Sequence, residues 1–459
     1  MTTTTEQSSI AAPSDPSAWR ERLSASLAAG DAGRRGSETP PLDRAKRLAE
    51  ALLSERGEAS GVIVARELHE SLRALDAEGR LAFYGFLAKG FLPEPERLRA
   101  AAEAYLAEPT AHTAARLADA AEPKRQELLR RMNMSPAGTS ALVALRKDLL
   151  DHLRDAPELK PLDADLRHLF ASWFNRGFLE LRRIDWRSPA AVLDKLIAYE
   201  AVHEIHGWSD LKRRLAPDRR CFGFFHPALP GEPLIFVEVA LVKGLSTAVQ
   251  AILARDEDAE DDARARAEEA DTAIFYSISN CQDGLRGVSF GNFLIKQVVQ
   301  ELRAEFPNLT RFSTLSPVPG FRRWLEKRLA ADPAEAALLA PLKTDGWWGD
   351  AAQARAMRGP VLRLAATYLT TFGPKGPPDP VARFHLGNGA RLEQINWLGN
   401  TAPRGIAESH GVMVNYLYVP EAIEANHEVF AHEGVVVRSR QVDALMDVET
   451  PAASLQPGL

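Results

Sequence analysis

From about Leu42 to Arg183 the apolar residues fall at helical rather than extended spacing. Leu68, Leu72 and Leu75 share one face, as do Leu149, His152 and Leu153. Apolar positions three and four apart are what one side of an α-helix presents to a core. Pro93, Pro95, Pro109 and Pro123 cut the pattern into short helices, because proline lacks the N–H that continues one. No strand and no repeat of fixed period is expected here, and the stretch predicts a bundle.

Past Asp185 the pattern becomes strand-like. Residues 220–225 and 234–241 are β-branched and aromatic, with Pro227, Pro230 and Gly231 between them, and predict a hairpin. A helix is expected at 246–254, then a charged, solvated surface at 256–271. A strand at 273–279 leads through a glycine-bearing turn into a helix ending near Glu305. A strand at 311–315, a helix at 320–329, a helical insertion at 333–372 and strands at 391–397 and 412–418 complete the order. The fold class is therefore α+β or mixed: an all-α bundle, then a mixed α/β domain. The expected divisions are a disordered 1–17, a helical domain at 18–184, a catalytic domain at 185–447 and a loose tail at 448–459.

Composition narrows the function. The chain has 459 residues, 45% hydrophobic and 26% charged, with a formal net charge of −6. That suits a globular protein and disfavours nucleic acid as a partner. No apolar run approaches the roughly 20 residues needed to cross a membrane. Glu6 and Asp15 precede the first arginine, Arg20, and the chain ends Pro-Gly-Leu, so neither a leader nor a peroxisomal address is read. The expected location is cytoplasmic. Cys221 and Cys281 are too few for a disulfide framework. His203 with His206, and His427 with His432, lack the H-E-x-x-H pattern, and no metal is expected.

Three segments carry candidate chemistry. Gln282 to Asn292 lies between a strand and a helix, where glycines let the backbone approach a ligand and helix N–H groups face a pyrophosphate. Arg286 would add a charge. The segment is neither a Walker loop nor G-x-G-x-x-G, and by itself it reads equally as a tight packing turn. The second segment, Ser313-Thr314-Leu315-Ser316-Pro317-Val318-Pro319-Gly320-Phe321, ends a strand, the usual place for a ligand in α/β sheets, although Ser316 could simply cap a turn. The third, Phe384-His385-Leu386-Gly387-Asn388-Gly389, sets His385 among turn residues and on no helical face, as a proton carrier or an ordinary loop histidine. No G-x-S-x-G elbow is present.

Taken together, these segments resemble the malonyl-CoA decarboxylase family. The resemblance runs from about Trp186 to Tyr418. It rests on Gly284-Leu-Arg-Gly-Val-Ser-Phe-Gly291, Leu315-Ser-Pro-Val-Pro-Gly-Phe321, Phe384-His-Leu-Gly-Asn-Gly389, Ile395-Asn-Trp397 and Arg404-Gly-Ile406. It implies a helical domain for support or oligomerisation, joined to a catalytic domain similar to the acetyltransferase (GNAT) fold. It implies conversion of malonyl-CoA to acetyl-CoA and carbon dioxide, an activity of fatty acid metabolism. Ser316 and His385 would be catalytic. Arg286, Gly287, Val288, Ser289, Phe290, Gly291 and Asn292 would bind CoA, and Tyr418 would lie near the malonyl group. Ser289 departs from an acidic residue in an animal relative. No cofactor is implied, since CoA is part of the substrate, and a homo-oligomer, dimer or tetramer, is expected. A CoA-dependent N-acyltransferase and a non-catalytic malonyl-CoA sensor are the competing readings.

Overall fold

The computed structural model describes residues 40–54, 58–254, 260–288, 294–374 and 376–446. The stretches 1–17 and 448–459 lie outside them. Helices Pro41–Leu53, Glu58–Arg73, Ala77–Gly90, Pro95–Ala107, Ala111–Ala121, Lys124–Asn133, Gly138–His152 and Lys160–Trp173 form the N-terminal bundle. Prolines behave as the sequence suggests. Pro41 and Pro95 each open a helix, where the missing N–H costs nothing. Asp76 caps the helix that follows it by accepting the Gly79 N–H at 2.8 Å.

Among the described residues eight strands form a single sheet: β1 Glu180–Ile184, β2 Arg219–Phe225, β3 Pro233–Val242, β4 Thr272–Asn280, β5 Arg311–Thr314, β6 Ser316–Pro317, β7 Arg391–Asn396 and β8 Met413–Tyr418. The expected hairpin is β2–β3, antiparallel and buried along almost its whole length. This helical bundle followed by a mixed α/β sheet is the fold class read from the sequence. One correction applies inside the helical stretch. β1 occupies residues expected to be helical and pairs antiparallel with β2. Its Glu-Leu-Arg-Arg-Ile sequence hides the strand signal, because an edge strand carries charge on its open side.

Most neighbours in the sheet are antiparallel, but β4 and β5 run parallel. They are joined through helix Leu294–Glu305. They pair only from Thr272 to Phe275 against Arg311 to Thr314. The Leu315 N–H makes a last bond to the Phe275 carbonyl at 3.0 Å. Beyond that point β4 continues to Asn280 while the other strand turns away along β8. The sheet therefore opens between two parallel strand ends.

Helical and sheet parts share one hydrophobic core, in which Leu142, Val143, Phe170 and Phe174 join Phe222, Phe224, Leu234 and Leu285. The buried Arg146 stitches them together: its Nη1 donates to the Gly284 carbonyl at 2.7 Å and its Nε to Asp163 at 2.8 Å. A Cβ on Gly284 would overlap the Val143 carbonyl oxygen, so only glycine fits this contact. No described helix is long and apolar enough to cross a membrane.

Candidate active site

β5 and β6 lie end to end along one edge of β8, and the register does not change across Leu315: Phe312 faces Tyr418, Ser313 faces Leu417 and Ser316 faces Val414. Alternate strand residues point to the same side. Thr314, Ser316, Tyr416 and Tyr418 therefore share one face of the sheet. On the opposite face Leu315 and Met413 pack with Ala240, Ile274 and Tyr276.

His385 comes onto the first face from a separate element. It sits on helix Pro380–Gly387, not in a turn free of helical structure, which corrects the expectation from sequence. The helix is only eight residues long, opens on Pro380 and stops against Gly389, so breakers dominated its sequence pattern. Asp379 caps it. Its Oδ1 accepts the Val381 and Ala382 N–H groups, each at 2.9 Å, and its carboxylate also bonds the Gly320 N–H. Gly320 begins the helix turn just after Ser316, so one buried carboxylate ties the histidine segment to the serine segment.

The result is a compact buried cluster. Ser316 Oγ lies 3.2 Å from His385 Nε2, and His385 Nδ1 lies 2.8 Å from the Tyr418 hydroxyl. Ser316 O–H donates to Thr314 Oγ1 at 2.9 Å. The imidazole stacks on Tyr416, with ring centroids 4.8 Å apart and planes 23° from parallel. Relative exposure is 3% for His385 and 6% for Ser316. Burial alone pushes the imidazole down to about 3, so the ring is neutral at physiological pH. Burial likewise raises the Tyr418 phenol well above its ordinary range, leaving it a neutral donor. The arrangement can hold a small polar group against Ser316 and pass a proton at Nε2.

The structure thus brings Ser316, His385 and Tyr418 together. Arg286, Gly287 and Val288 lie on the turn leaving β4, on the other side of the strand opening. The Arg286 side chain is exposed and pairs with Asp283 at 3.4 Å. Gly287 has φ +77°, a left-handed turn that favours glycine. The Val288 side chain is buried in the core, so only its backbone can face a ligand. Ser289, Phe290, Gly291 and Asn292 lie outside the described residues. Sequence reasoning missed Thr314, Tyr416 and Asp379. Asp379-Pro380 is a cap signal that could have revealed the helix, whereas the shared face of Thr314 and Tyr416 emerges only from the strand register. Among the described residues no group of three or more His, Cys, Asp or Glu side chains is placed to hold a metal.

A helical bundle fused to a mixed α/β sheet, with a neutral serine–histidine pair buried where two parallel strands part, defines an enzyme built on a binding sheet. Comparison with known proteins narrows this further. The malonyl-CoA decarboxylase C-terminal domain matches residues 177–456 and the malonyl-CoA decarboxylase N-terminal domain matches residues 91–174. The mitochondrial malonyl-CoA decarboxylase of the goose Anser anser anser is 40% identical over 349 residues, 70% of this chain and 69% of its own. That of Rattus norvegicus is 37% identical over 360 residues, 72% of this chain and 73% of its own. The crystal structure of malonyl-CoA decarboxylase from Rhodopseudomonas palustris is 50% identical and superposes with a TM-score of 0.81, covering 88% of this chain and 99% of that one. The Agrobacterium vitis structure gives 48% and 0.81, covering 88% and 100%. The chain belongs to the malonyl-CoA decarboxylase family.

Proposed function

We propose that this chain converts malonyl-CoA to acetyl-CoA and carbon dioxide, with Ser316 and His385 at the reacting centre. One observation carries the reading: the 3.2 Å contact between Ser316 Oγ and His385 Nε2 on a buried face beside the opening between β4 and β5. The thioester enters along that opening. The turn after β4, with the exposed Arg286, takes the diphosphate end of CoA. Ser316 fixes the angle of the malonyl group so that the bond to be broken is aligned with the thioester carbonyl. That bond, between methylene carbon and carboxylate, breaks with its electrons passing into the carbonyl to give an enolate. His385 then protonates the carbon.

Electrostatics favour this sequence. Burial holds the His385 imidazole neutral, and no ion pair to its ring is present among the described residues. A buried site with a neutral imidazole favours losing the carboxylate as neutral carbon dioxide and strengthens any hydrogen bond to the enolate oxygen. As proposed, the reaction uses no cofactor. A cytoplasmic location and a homo-oligomeric assembly belong to the same reading, testable by cell fractionation and light scattering.

The deciding assay is incubation with malonyl-CoA, a chelator and no acceptor amine. Acetyl-CoA and carbon dioxide are expected in equal amounts, whereas an N-acyltransferase or a sensor would release neither. His385→Ala should lower kcat by about 10²–10⁴-fold, the contribution typical of a general acid. Ser316→Ala should lower it by about 10²-fold, as misalignment does. Near-normal turnover in either folded variant would remove that residue from the centre.

A further inference from the structure

Two hydroxyls bond the His385 ring, those of Ser316 and Tyr418, and their partners fix where their protons point. Ser316 O–H donates to Thr314 Oγ1 at 2.9 Å, and the Tyr416 N–H donates to the same oxygen at 3.1 Å. Two donors occupy both lone pairs of that hydroxyl. A serine has one proton, so with it committed to Thr314, Ser316 Oγ can meet His385 Nε2 only as an acceptor. Nε2 must therefore carry a hydrogen. A neutral imidazole has one N–H, so Nδ1 is bare and takes the Tyr418 O–H at 2.8 Å. The reverse arrangement fails twice. It sets lone pair against lone pair between Ser316 and His385, and it leaves the buried Tyr418 proton without an acceptor among the described residues.

We propose that Thr314 is a positioning residue that holds His385 in its Nε2–H form by drawing the Ser316 proton away from the ring. The inference rests on the decarboxylase reading and deepens it. Ser316 then cannot serve as a base toward the histidine, and His385 acts as a neutral acid that needs no prior protonation. In the protonation step the Nε2–H bond breaks as the C–H bond forms on the enolate carbon. The N–H electron pair stays on the ring, and a proton from water restores Nε2–H before the next turnover. Thr314 makes no hydrogen bond to the ring and acts on it through Ser316.

The experiment is 15N NMR on the full chain labelled with [15N]histidine, without ligand, the His385 signals being assigned by their loss in His385→Gln. The wild type should show a neutral ring protonated at Nε2. Thr314→Val keeps the shape but removes the acceptor, so Ser316 can turn its proton to the ring. A sizeable Nδ1–H population is then expected, with kcat lower by about 5- to 10-fold and KM within about 2-fold. Thr314→Ser should restore both readouts, which a packing role for the methyl group would not do. Tyr418→Phe, which stands even if Thr314→Val fails to fold, should keep the Nε2–H form, because Thr314 still takes the Ser316 proton. The proposal is overturned by a wild type protonated at Nδ1, by a shift to Nδ1–H in Tyr418→Phe, or by Thr314→Val retaining Nε2–H alone with unchanged kcat. Absence of carbon dioxide release by the wild type would instead sink the decarboxylase reading, and the ring's protonation state would still be read independently.

Discussion

Lowering the pH from 7 to 5 should cost this protein stability through His385, and replacing that residue should remove the cost. In the unfolded chain a histidine takes a proton near 6.5; in the folded chain burial holds off protonation of His385 until about 3. Between those values the unfolded state binds more protons, so the stability contributed is fully present above about 6.5 and drains away as pH falls toward 3. Linkage over that window gives about 2 kcal/mol lost between pH 7 and 5, and about 5 kcal/mol over the whole span. The assay is urea denaturation of wild type and His385→Gln at pH 7, 6 and 5 and one protein concentration. His203 and His410, each pushed to about 4 mainly by burial, weaken both proteins equally and cancel in the difference. The stability gap, wild type minus variant, should narrow by about 2 kcal/mol between pH 7 and 5. Parallel loss in the two proteins would mean that the imidazole is not neutral and dry, and the neutral-acid chemistry would fall with it.

Two further substitutions probe the scaffold around the site. Gly284→Ala should destabilise by about 1–3 kcal/mol, because its Cβ would overlap the Val143 carbonyl oxygen across the bundle–sheet junction. Since this turn leads to Arg286, KM for malonyl-CoA should rise more than kcat falls, read by thermal melts and steady-state kinetics. Asp379→Ala should cost about 1–2 kcal/mol for the lost cap and lower kcat by about 10-fold or more as the His385 helix drifts, with KM little changed. Asp379→Asn retains an acceptor oxygen and should recover most of the loss.

What the chain reveals before folding follows from the range of the interactions involved. β2, β3, β4, β5, β7 and β8 were legible to within a residue or two, because buried strands advertise themselves as runs of β-branched and aromatic residues. β1 was not, because three of its five residues are charged and its strand identity comes from pairing with β2. Helices Ala190–Tyr199, Trp208–Arg214 and Pro403–Ser409 escaped for a related reason: they are short, and packing, of the first two against the sheet and of the third against helix Phe321–Ala331, rather than length stabilises them. Ser316, His385 and Tyr418 came from family resemblance, since nothing in their spacing places them together.

Their convergence depends on two separate devices, neither visible as a motif. The first is register. Ser316 and Tyr418 reach the same side of the sheet only because β5 and β6 keep one register along β8; a slip of a single residue at Leu315 would turn Ser316 into the opposite core. The second is the buried Asp379 carboxylate. It links the amides that start the His385 helix to the Gly320 amide beyond Ser316, and so spans a sequence separation that no local propensity could bridge. Burial raises the pKa of that carboxyl above the ordinary range, so keeping it charged there costs stability that the three amides must offset. A buried acid in that position is an expensive way to cap an eight-residue helix. It makes physical sense if what is being held is the distance from imidazole to hydroxyl, because a drift of about 1 Å there can cost as much as 10²-fold in rate.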